Sequence, residues 1–455
     1  MTNDMTKGNP LKLFIYFTIP LLIGNVFQQL YSMVDTIIVG RFVGVNALAA
    51  LGACNSMFFL VNGLILGLTS GFSVLVSQKF GAKDEKGVKK AVASNITLTV
   101  VLTIIITVIA LLIINPLLNM MNTPDSIYND AKKYITIIYA GIITQTAYNM
   151  SAGILRALGD SKTPLYFLIL ASLLNVVLDL VFIVNFKMGV AGAAYATNIA
   201  QGVSAILCLI YSYSKYKVLR LRKEDFKVER SYYSTHLKIA IPMSMQFSVT
   251  AVGIIIVQSA INTFGATVIA SYTAASKVQQ LVMQPSISFG VTMATYAGQN
   301  LGARRFDRIK HGMRIMNVVS IVTSIISAFA LFSLGKYFVM LFIENPTQEI
   351  FNYAQQVLNY SAMFFIPLGF IFVYRNALQG MGQSFVPMMA GFFELCARAL
   401  VAFTLPKFVG YIGICLADPI AWISAAVPLM ITYYIKMRKI DSEYQQIEEL
   451  KSKAI

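Results

Sequence analysis

Charged side chains are scarce in this chain. Asp, Glu, Lys and Arg together make up 12% of its 455 residues, whereas soluble globular domains carry about 25%. Hydrophobic residues make up 57%, and apolar stretches of about 20 residues, long enough to cross a bilayer, recur along the whole sequence. No soluble domain fits between them. The composition therefore predicts an all-α integral membrane protein.

Cysteine and histidine are also rare, which excludes several kinds of chemistry. The cysteines are Cys54, Cys208, Cys396 and Cys415. All four lie inside apolar segments without metal-ligand spacing, so neither a disulfide framework nor a zinc site is predicted. His236 and His311 lie in basic loops and leave little material for His-dependent catalysis or metal binding. We expect no enzymatic activity, no cofactor, and no cleavable leader at the N-terminus, which lacks the pattern of a signal peptide.

The apolar segments indicate twelve membrane crossings. They lie near 13–38, 47–77, 90–114, 132–155, 163–185, 190–213, 237–262, 268–298, 313–335, 350–374, 384–405 and 411–435. Of the 36 Lys and Arg residues, 28 fall in the loops on the side that holds both termini, and six fall in the opposite loops. Because cytoplasmic loops are enriched in Lys and Arg, both termini are predicted to be cytoplasmic. The net charge of +16 thus reflects topology, and no nucleic-acid partner is expected.

An internal repeat divides the chain into two halves of six crossings each. A shift of about 221 residues lays Gly44-Val-Asn-Ala-Leu-Ala49 on Gly265-Ala-Thr-Val-Ile-Ala270, and Gln78-Lys-Phe-Gly81-Ala82 on Gln299-Asn-Leu-Gly302-Ala303. Near the start of each half, Pro20 falls on Pro242. Since six is an even number, both halves insert with the same orientation. We predict an N-terminal lobe at 1–213, a cytoplasmic linker at 214–236, a C-terminal lobe at 237–435 and a cytoplasmic tail at 436–455.

Acidic residues within the predicted crossings indicate a functional site in the first half. Asp35 and Asp179 lie well inside crossings, where a charge costs roughly 2.5 to 3.5 kcal/mol on insertion scales. Asn175 precedes Asp179 by four residues and therefore shares its helix face. Together with Thr197, these side chains make an oxygen-rich cluster that suits a metal ion such as Na⁺. Proximity of two carboxylates would alternatively favour H⁺, and the sequence does not choose between the two ions.

The second half carries a different polar cluster. Glu394 and Arg398 are four residues apart with opposite charges, and Asp418 lies near the outer end of the last crossing. They form either a fixed ion pair that orients helices or part of a substrate site. Lys277, the other base inside a crossing, is expected to pair with a carboxylate, for which Glu394 is one candidate.

These residues resemble the multidrug and toxic compound extrusion (MATE) family over essentially the whole chain. The resemblance rests on Pro20 with Asp35, the duplicated Gln-x-x-Gly-Ala motif, Arg156-Ala-Leu-Gly159-Asp-x-x-x-Pro164, Asn175-x-x-x-Asp179 and Ala417-Asp418-Pro419. It implies twelve helices in two pseudo-symmetric six-helix lobes that alternate between inward- and outward-facing V shapes. It also implies export of cationic or amphipathic drugs in exchange for Na⁺ or H⁺.

The resemblance extends to particular positions. In the branch of the family with its cation site in the N-terminal lobe, the ion is held at the positions occupied here by Asp35, Asn175, Asp179 and Thr197. The acidic residue that another branch carries in its seventh crossing has no counterpart between 237 and 262. A bacterial cytoplasmic membrane and a monomer are the expected location and state.

Two other functions are alternatives to drug export. A flippase for lipids or lipid-linked saccharides shares the two-lobe plan in the wider superfamily, but it would favour a strongly cationic cavity. An intramembrane aspartyl protease would use Asp35 and Asp179 as a catalytic pair, and the segment Ala157-Leu-Gly159-Asp160 only approximates the Gly-x-Gly-Asp pattern of such proteases. The duplication of six crossings has no explanation in a protease.

Overall fold

The computed structural model describes residues 4–343 and 347–453, and within these ranges the protein consists of helices, turns and loops without β-strands. The helices before the middle connection are α1 (Pro10–Phe42), α2 (Val45–Gly81), α3 (Glu85–Met120), α4 (Asp125–Ala140), α5 (Ile142–Ala157), α6 (Lys162–Asp179) and α7 (Val190–Lys215). A π-helical segment, Leu180–Asn185, directly follows α6. Long apolar runs form helices because a helix satisfies all its backbone hydrogen bonds within one segment, as a bilayer requires.

The second series of helices begins after a connection that contains two short 3₁₀ turns, Lys217–Leu219 and Lys223–Phe226. These helices are α8 (Arg230–Ile261), α9 (Ala266–Val282), α10 (Gln284–Gly302), α11 (Phe306–Met340), α12 (Gln348–Met363), α13 (Phe365–Gly380), α14 (Phe385–Thr404), α15 (Pro406–Val409), α16 (Tyr411–Cys415) and α17 (Ala417–Lys453). A further 3₁₀ turn, Asn262–Phe264, separates α8 from α9.

Each of the twelve predicted crossings is helical. Among the described residues, nine helices are long and apolar enough to span a membrane, and the pair α12 and α13, bent by 53°, makes a tenth. The two remaining predicted crossings, 132–155 and 268–298, correspond to α4 with α5 and to α9 with α10. Each of these is divided, at Gly141 and at Met283, into helices of 16 to 19 residues. The prediction of an all-α membrane protein is confirmed.

The backbone repeats the pattern seen in the sequence. Gly44 and Gly265 have φ of +117° and +91°, and each precedes the second helix of its half. Lys83 and Arg304, 221 residues apart, both have φ of +55° after the Gly-Ala pair that ends a helix. Because L-residues other than glycine rarely adopt positive φ, its recurrence in register indicates that the two halves share one backbone plan.

Packing divides the chain into two compact units. The first comprises Met1–Asp4 and Tyr16–Ala251, and the second comprises Met5–Ile15 and Val252–Ile455. The segment predicted as a linker, 214–236, falls in the first unit, where Tyr216 and Leu219 are buried against α2, α3 and α5. The predicted lobe limits and the cytoplasmic side of the linker stay predictions, since packing contacts alone do not place them.

A row of glycines on α2 explains why the first half of α8 belongs to the first unit. Gly63, Gly67 and Gly71 recur every four residues and therefore lie on one face of α2. A Cβ atom at Gly67 would lie 2.4 Å from Cα of Ser244, and one at Gly71 would lie 2.4 Å from Cα of Ala240. The two backbones thus pack without intervening side chains, as small residues permit between membrane helices.

We expect Gly67→Ala to destabilise the protein by about 1–3 kcal/mol, because a methyl group has no room between the two backbones. Thermal unfolding of the detergent-purified protein measures the effect. Gly52→Ala, on the same helix but with no atom within 4 Å of its Cβ position, is the matched control and should not lower the unfolding temperature. Equal unfolding temperatures for the two variants would contradict this account of the close contact between α2 and α8.

Candidate functional site

The structure brings the four predicted cation-site residues together within the first unit. Asn175 and Asp179 lie one turn apart on α6 and are buried, with 1% and 0% of their surfaces exposed. Asn175 Nδ2 donates a hydrogen bond of 3.4 Å to Thr197 Oγ1 on α7. The carboxyl group of Asp35, on α1, lies close enough to that of Asp179 for the two groups to interact. Three helices therefore contribute to one cluster.

The cluster leaves several buried oxygen atoms without a hydrogen bond. Within residues 4–343 and 347–453, no partner is present for Asp35 Oδ1, Asn175 Oδ1 or either carboxylate oxygen of Asp179. Buried polar atoms are almost always paired in proteins, and an unpaired one costs about 1–3 kcal/mol. Four such oxygens in one cluster are the donor set that a small hard cation prefers. The residues present thus fit a bound Na⁺ or H⁺.

Local backbone structure positions Asp179. The residue ends α6, and the wider π-helical segment Leu180–Asn185 begins immediately after it. Short π-helical stretches inside helices are frequent at functional sites. Ile183 of this segment packs with Ile38 and Val39 of α1 and with α7. This apolar contact holds α1 beside α6, so that Asp35 and Asp179 meet.

Tyr31 and Tyr134 belong to the site, although the sequence reasoning did not include them. Tyr31 precedes Asp35 by four residues on α1, and its hydroxyl group lies near Thr197 and the two carboxyl groups. Tyr134 of α4 lies near both Asp35 and Asp179. The spacing of four residues between Tyr31 and Asp35 could have indicated that Tyr31 shares a helix face with Asp35. Nothing in the sequence places Tyr134 near α1.

A cavity of about 10 Å³ adjoins the cluster. It is lined by Tyr31, Leu168, Ala171, Ser172, Asn175, Ala200 and Gln201. Its volume is that of roughly one water molecule. Gln201 lies one turn after Thr197 on α7, and its Oε1 atom is buried without a hydrogen-bond partner among the described residues. The cavity therefore offers polar atoms to a water molecule or ion next to Asn175.

The electrostatics of the first-unit site are unbalanced. Two carboxyl groups lie together, and in the described part of the chain no ion pair joins Lys or Arg to Asp35 or Asp179. Two neighbouring carboxylates in an environment of low dielectric constant cannot both stay ionised without added positive charge. The arrangement can therefore take up protons or a metal cation. The role of these residues in coupling stays a prediction.

The second unit holds an ion-pair cluster. Arg398 Nη2 lies 2.8 Å from Glu394 Oε1, and Arg398 Nε lies 2.7 Å from Asp418 Oδ1. The other carboxylate oxygen of Glu394 lies 3.1 Å from Nη2 of Arg375. The predicted crossing at 350–374 ends just before Arg375, but this residue lies inside α13 and is 7% exposed. Its position directly after an apolar crossing concealed it.

Lys277 lies outside this cluster. Its side chain is exposed on α9, and no ion pair of Lys277 is present among residues 4–343 and 347–453. The carboxylate of Glu394, its suggested partner, is already held by two arginines. The structure thus groups Glu394, Arg398 and Asp418 as predicted and does not group Lys277 with them.

Asp160, the acid of the protease-like segment, has a structural role. It lies between α5 and α6, accepts a hydrogen bond of 3.0 Å from the Thr163 N–H, and is also bonded by the Tyr216 hydroxyl group. Lys215 Nζ lies 3.4 Å from it. Burial opposes ionisation, but the bonds from Tyr216 and Thr163 and the charge of Lys215 outweigh it and lower the pKa of Asp160. This carboxylate ties the α5–α6 turn to the end of α7.

The fold and the site define a duplicated, multi-span membrane protein with a buried acidic pair in one of its halves. The MatE family model matches the chain twice, at residues 20–181 and 242–404. These two matches cover most of the chain, and their offset agrees with that of the internal repeat to within two residues. The chain therefore belongs to the MATE family, and the predicted resemblance is confirmed.

Individual relatives agree with this assignment. The chain is 30% identical over 383 residues to the probable multidrug resistance protein YpnP of Bacillus subtilis, covering 83% of this chain and 84% of that protein. It is 24% identical to the probable multidrug resistance protein NorM of Thermotoga maritima, covering 94% and 91% of the two chains. A solved structure, that of MATE in complex with MaL6, superposes with a TM-score of 0.89 at 22% identity, covering 97% of this chain and 100% of that one. This superposition supports the twelve-helix, two-lobe fold.

Proposed function

We propose that this protein is a secondary active antiporter that exports small organic molecules, mainly cationic or amphipathic drugs, in exchange for Na⁺ or H⁺. The observation that carries the proposal is the group of buried oxygens without hydrogen bonds on Asp35, Asn175 and Asp179. Because the site carries negative charge that no base balances, binding of a cation or proton is electrostatically favourable. The names of the relatives YpnP and NorM support export of drugs.

Coupling follows from the charge of the site. When a cation or proton binds, it neutralises the acidic pair, and the conformation that best buries the neutral site becomes more stable. Because an ion shifts a conformational equilibrium only by its difference in affinity for the two states, the substrate must bind better to the state without the ion. Ion entry down its gradient then releases the substrate on the far side. The ion is cargo in this scheme, and no cofactor is required.

The setting of the protein is part of the proposal. The excess of Lys and Arg in alternate loops supports cytoplasmic termini, and the bacterial relatives support the cytoplasmic membrane. The partners are then the bilayer and the small organic substrate. We propose that the protein works as a monomer, since each chain contains both halves of the repeat.

The lipid flippase is not the function that these charges favour. That function would favour a strongly cationic cavity, whereas Arg375 and Arg398 are both bound to carboxylates, which leaves Lys277 as a single base among these three without an ion pair to the described residues. A lipid-flipping assay on the same vesicles therefore serves as the negative arm of the transport experiment.

Purified protein in liposomes tests the proposal. A fluorescent cationic dye is added to the external solution of vesicles in which the cytoplasmic side of the protein faces outward. A Na⁺ gradient and a pH gradient are then imposed one at a time. We expect the dye to accumulate against its gradient with at least one of them. The ion that drives accumulation identifies the coupling ion. Dye movement that is independent of both gradients would contradict antiport.

A further inference from the structure

The ionic cluster of the second unit differs from the first-unit site in its charge balance. Glu394 and Asp418 contribute two negative charges, and Arg375 and Arg398 contribute two positive charges, so the cluster is neutral without any ion. The first-unit site contains two acids and no base. Arginine side chains thus compensate the charge of the buried carboxylates in the second unit, whereas no side chain of the described residues does so in the first.

The internal repeat places the second cluster at the position of the first. Arg398 falls on Asn175, and Asp418 falls on Thr197. In the first unit these two positions are joined by the hydrogen bond from Asn175 to Thr197. In the second unit they are joined by the ion pair from Arg398 to Asp418. A fixed cationic group thus occupies the repeat position at which the first unit has a neutral amide.

The acids of the first-unit site have no counterparts in the second unit. With Pro20 on Pro242, Asp35 falls on Val257, and with Asn175 on Arg398, Asp179 falls on Ala402. Val257 and Ala402 are both buried. The second unit has therefore gained a positive charge and lost both carboxylates that would hold a free cation.

Gly253 makes room for the arginine. A Cβ atom at Gly253 would lie 2.3 Å from Nη1 of Arg398, so that any side chain at this position would displace the guanidinium group. The repeat places Gly253 at the position of Tyr31, whose large side chain borders the first-unit cluster. By the register of the repeat, the guanidinium group thus lies where the first half has a tyrosine side chain beside its acidic cluster.

We propose that the Arg398 guanidinium group is a covalently attached cation that occupies the second unit's counterpart of the coupling-ion position, so that this unit binds no ion of its own. The comparison with an ion position rests on the proposed function of the first unit. The pocket itself rests only on the contacts of Arg398 with Glu394, Asp418 and Gly253. Removal of the side chain should leave a site that accepts a free guanidinium ion.

Arg398→Asn tests this directly, because it restores the residue type found at Asn175. Unfolding temperatures of the full-length protein in detergent are measured with millimolar guanidinium chloride and, separately, with tetramethylammonium chloride at equal ionic strength. We expect guanidinium to raise the unfolding temperature of the Arg398→Asn variant by at least about 2 °C, since a ligand that binds only the folded state stabilises it. The wild-type protein should show no such rise.

Two double variants, each with one substitution added to Arg398→Asn, show where guanidinium binds. Adding Gly253→Ala to Arg398→Asn should abolish the rise, since the new methyl group would lie too close to the position of the guanidinium nitrogen Nη1. Adding Asp179→Asn should leave it intact, because that residue lies in the other unit. A folded Arg398→Asn variant that guanidinium does not stabilise would overturn the proposal. So would a rise that persists with Gly253→Ala or disappears with Asp179→Asn.

If the Arg398→Asn variant does not fold, a second experiment still tests the proposed pocket. The variant is then extracted in the presence of guanidinium or of tetramethylammonium, and recovery of monodisperse protein only with guanidinium supports the pocket. No recovery with either ion contradicts it. Because these measurements involve no transport, a failed antiport experiment would remove the ion position in the first unit without changing the result for the pocket.

Discussion

Asp179→Asn is expected to abolish export driven by an ion gradient. The change removes the charge of the most deeply buried acid in the first-unit site while keeping nearly the same shape. Without this carboxylate, the cation or proton no longer distinguishes the two conformations, and the gradient cannot do work on the substrate. The rate of dye accumulation in proteoliposomes should fall at least about tenfold, which corresponds to a barrier higher by about 1.4 kcal/mol.

Asp125→Asn is the matched control for this experiment. Asp125 is an exposed acid in the first turn of α4, in the same unit, and its replacement should leave export unchanged. Asp35→Asn should behave like Asp179→Asn. Exchange of labelled substrate without a gradient would show that the variants are folded and still bind it. If Asp179→Asn and Asp35→Asn both retained more than half of the wild-type rate, the acidic pair would have no part in coupling.

Glu394→Gln is expected to cause the largest loss of stability among single changes in the second unit. Glu394 is buried and binds both Arg375 and Arg398. Removing its charge leaves Arg375 as an uncompensated buried cation, and breaking a buried ion pair in this way costs about 3–5 kcal/mol. We expect a lower yield of folded protein and a clearly reduced unfolding temperature in detergent.

An exposed ion pair provides the comparison. Glu443 lies 3.9 Å from Lys439 on the surface of α17, and such pairs contribute about 0.3–0.5 kcal/mol. Glu443→Gln should therefore leave the unfolding temperature almost unchanged. Similar unfolding temperatures for Glu394→Gln and the wild-type protein would mean that the two arginines find other compensation.

Much of the fold could be predicted from the sequence, because its signals are local or periodic. A membrane crossing needs about 20 apolar residues wherever they lie in the chain, and the excess of Lys and Arg in alternate loops needs only counting. The duplication was visible because glycines with positive φ, such as Gly44 and Gly265, are retained in both halves. The breaks at Gly141 and Met283 were not predicted, since each lies within one apolar stretch.

The polar residues of the candidate site were predicted, but the tyrosines beside them were not. Asn175 and Asp179 share a helix face because of their spacing, and Asp35 was identified by its charge inside a crossing. The resemblance to the MATE family then pointed to the same positions, together with Thr197. The approach of Tyr134 to this cluster, by contrast, depends on how α4 packs beside α1 and α6. Likewise, the segment after α7 looked like a linker because it is basic, whereas burial of Leu219 attaches it to the first unit.

The sequence by itself determined that this protein is helical, duplicated and resident in a membrane, since hydropathy and repetition act along the chain. Only the tertiary structure decided which charges meet. It joined Arg375 to Glu394, left Lys277 outside the cluster, and gathered oxygens without hydrogen bonds around Asp179. The physical reason is that Coulomb and hydrogen-bond energies depend on separations of a few ångströms between atoms of different helices, and no pattern along one helix specifies those separations.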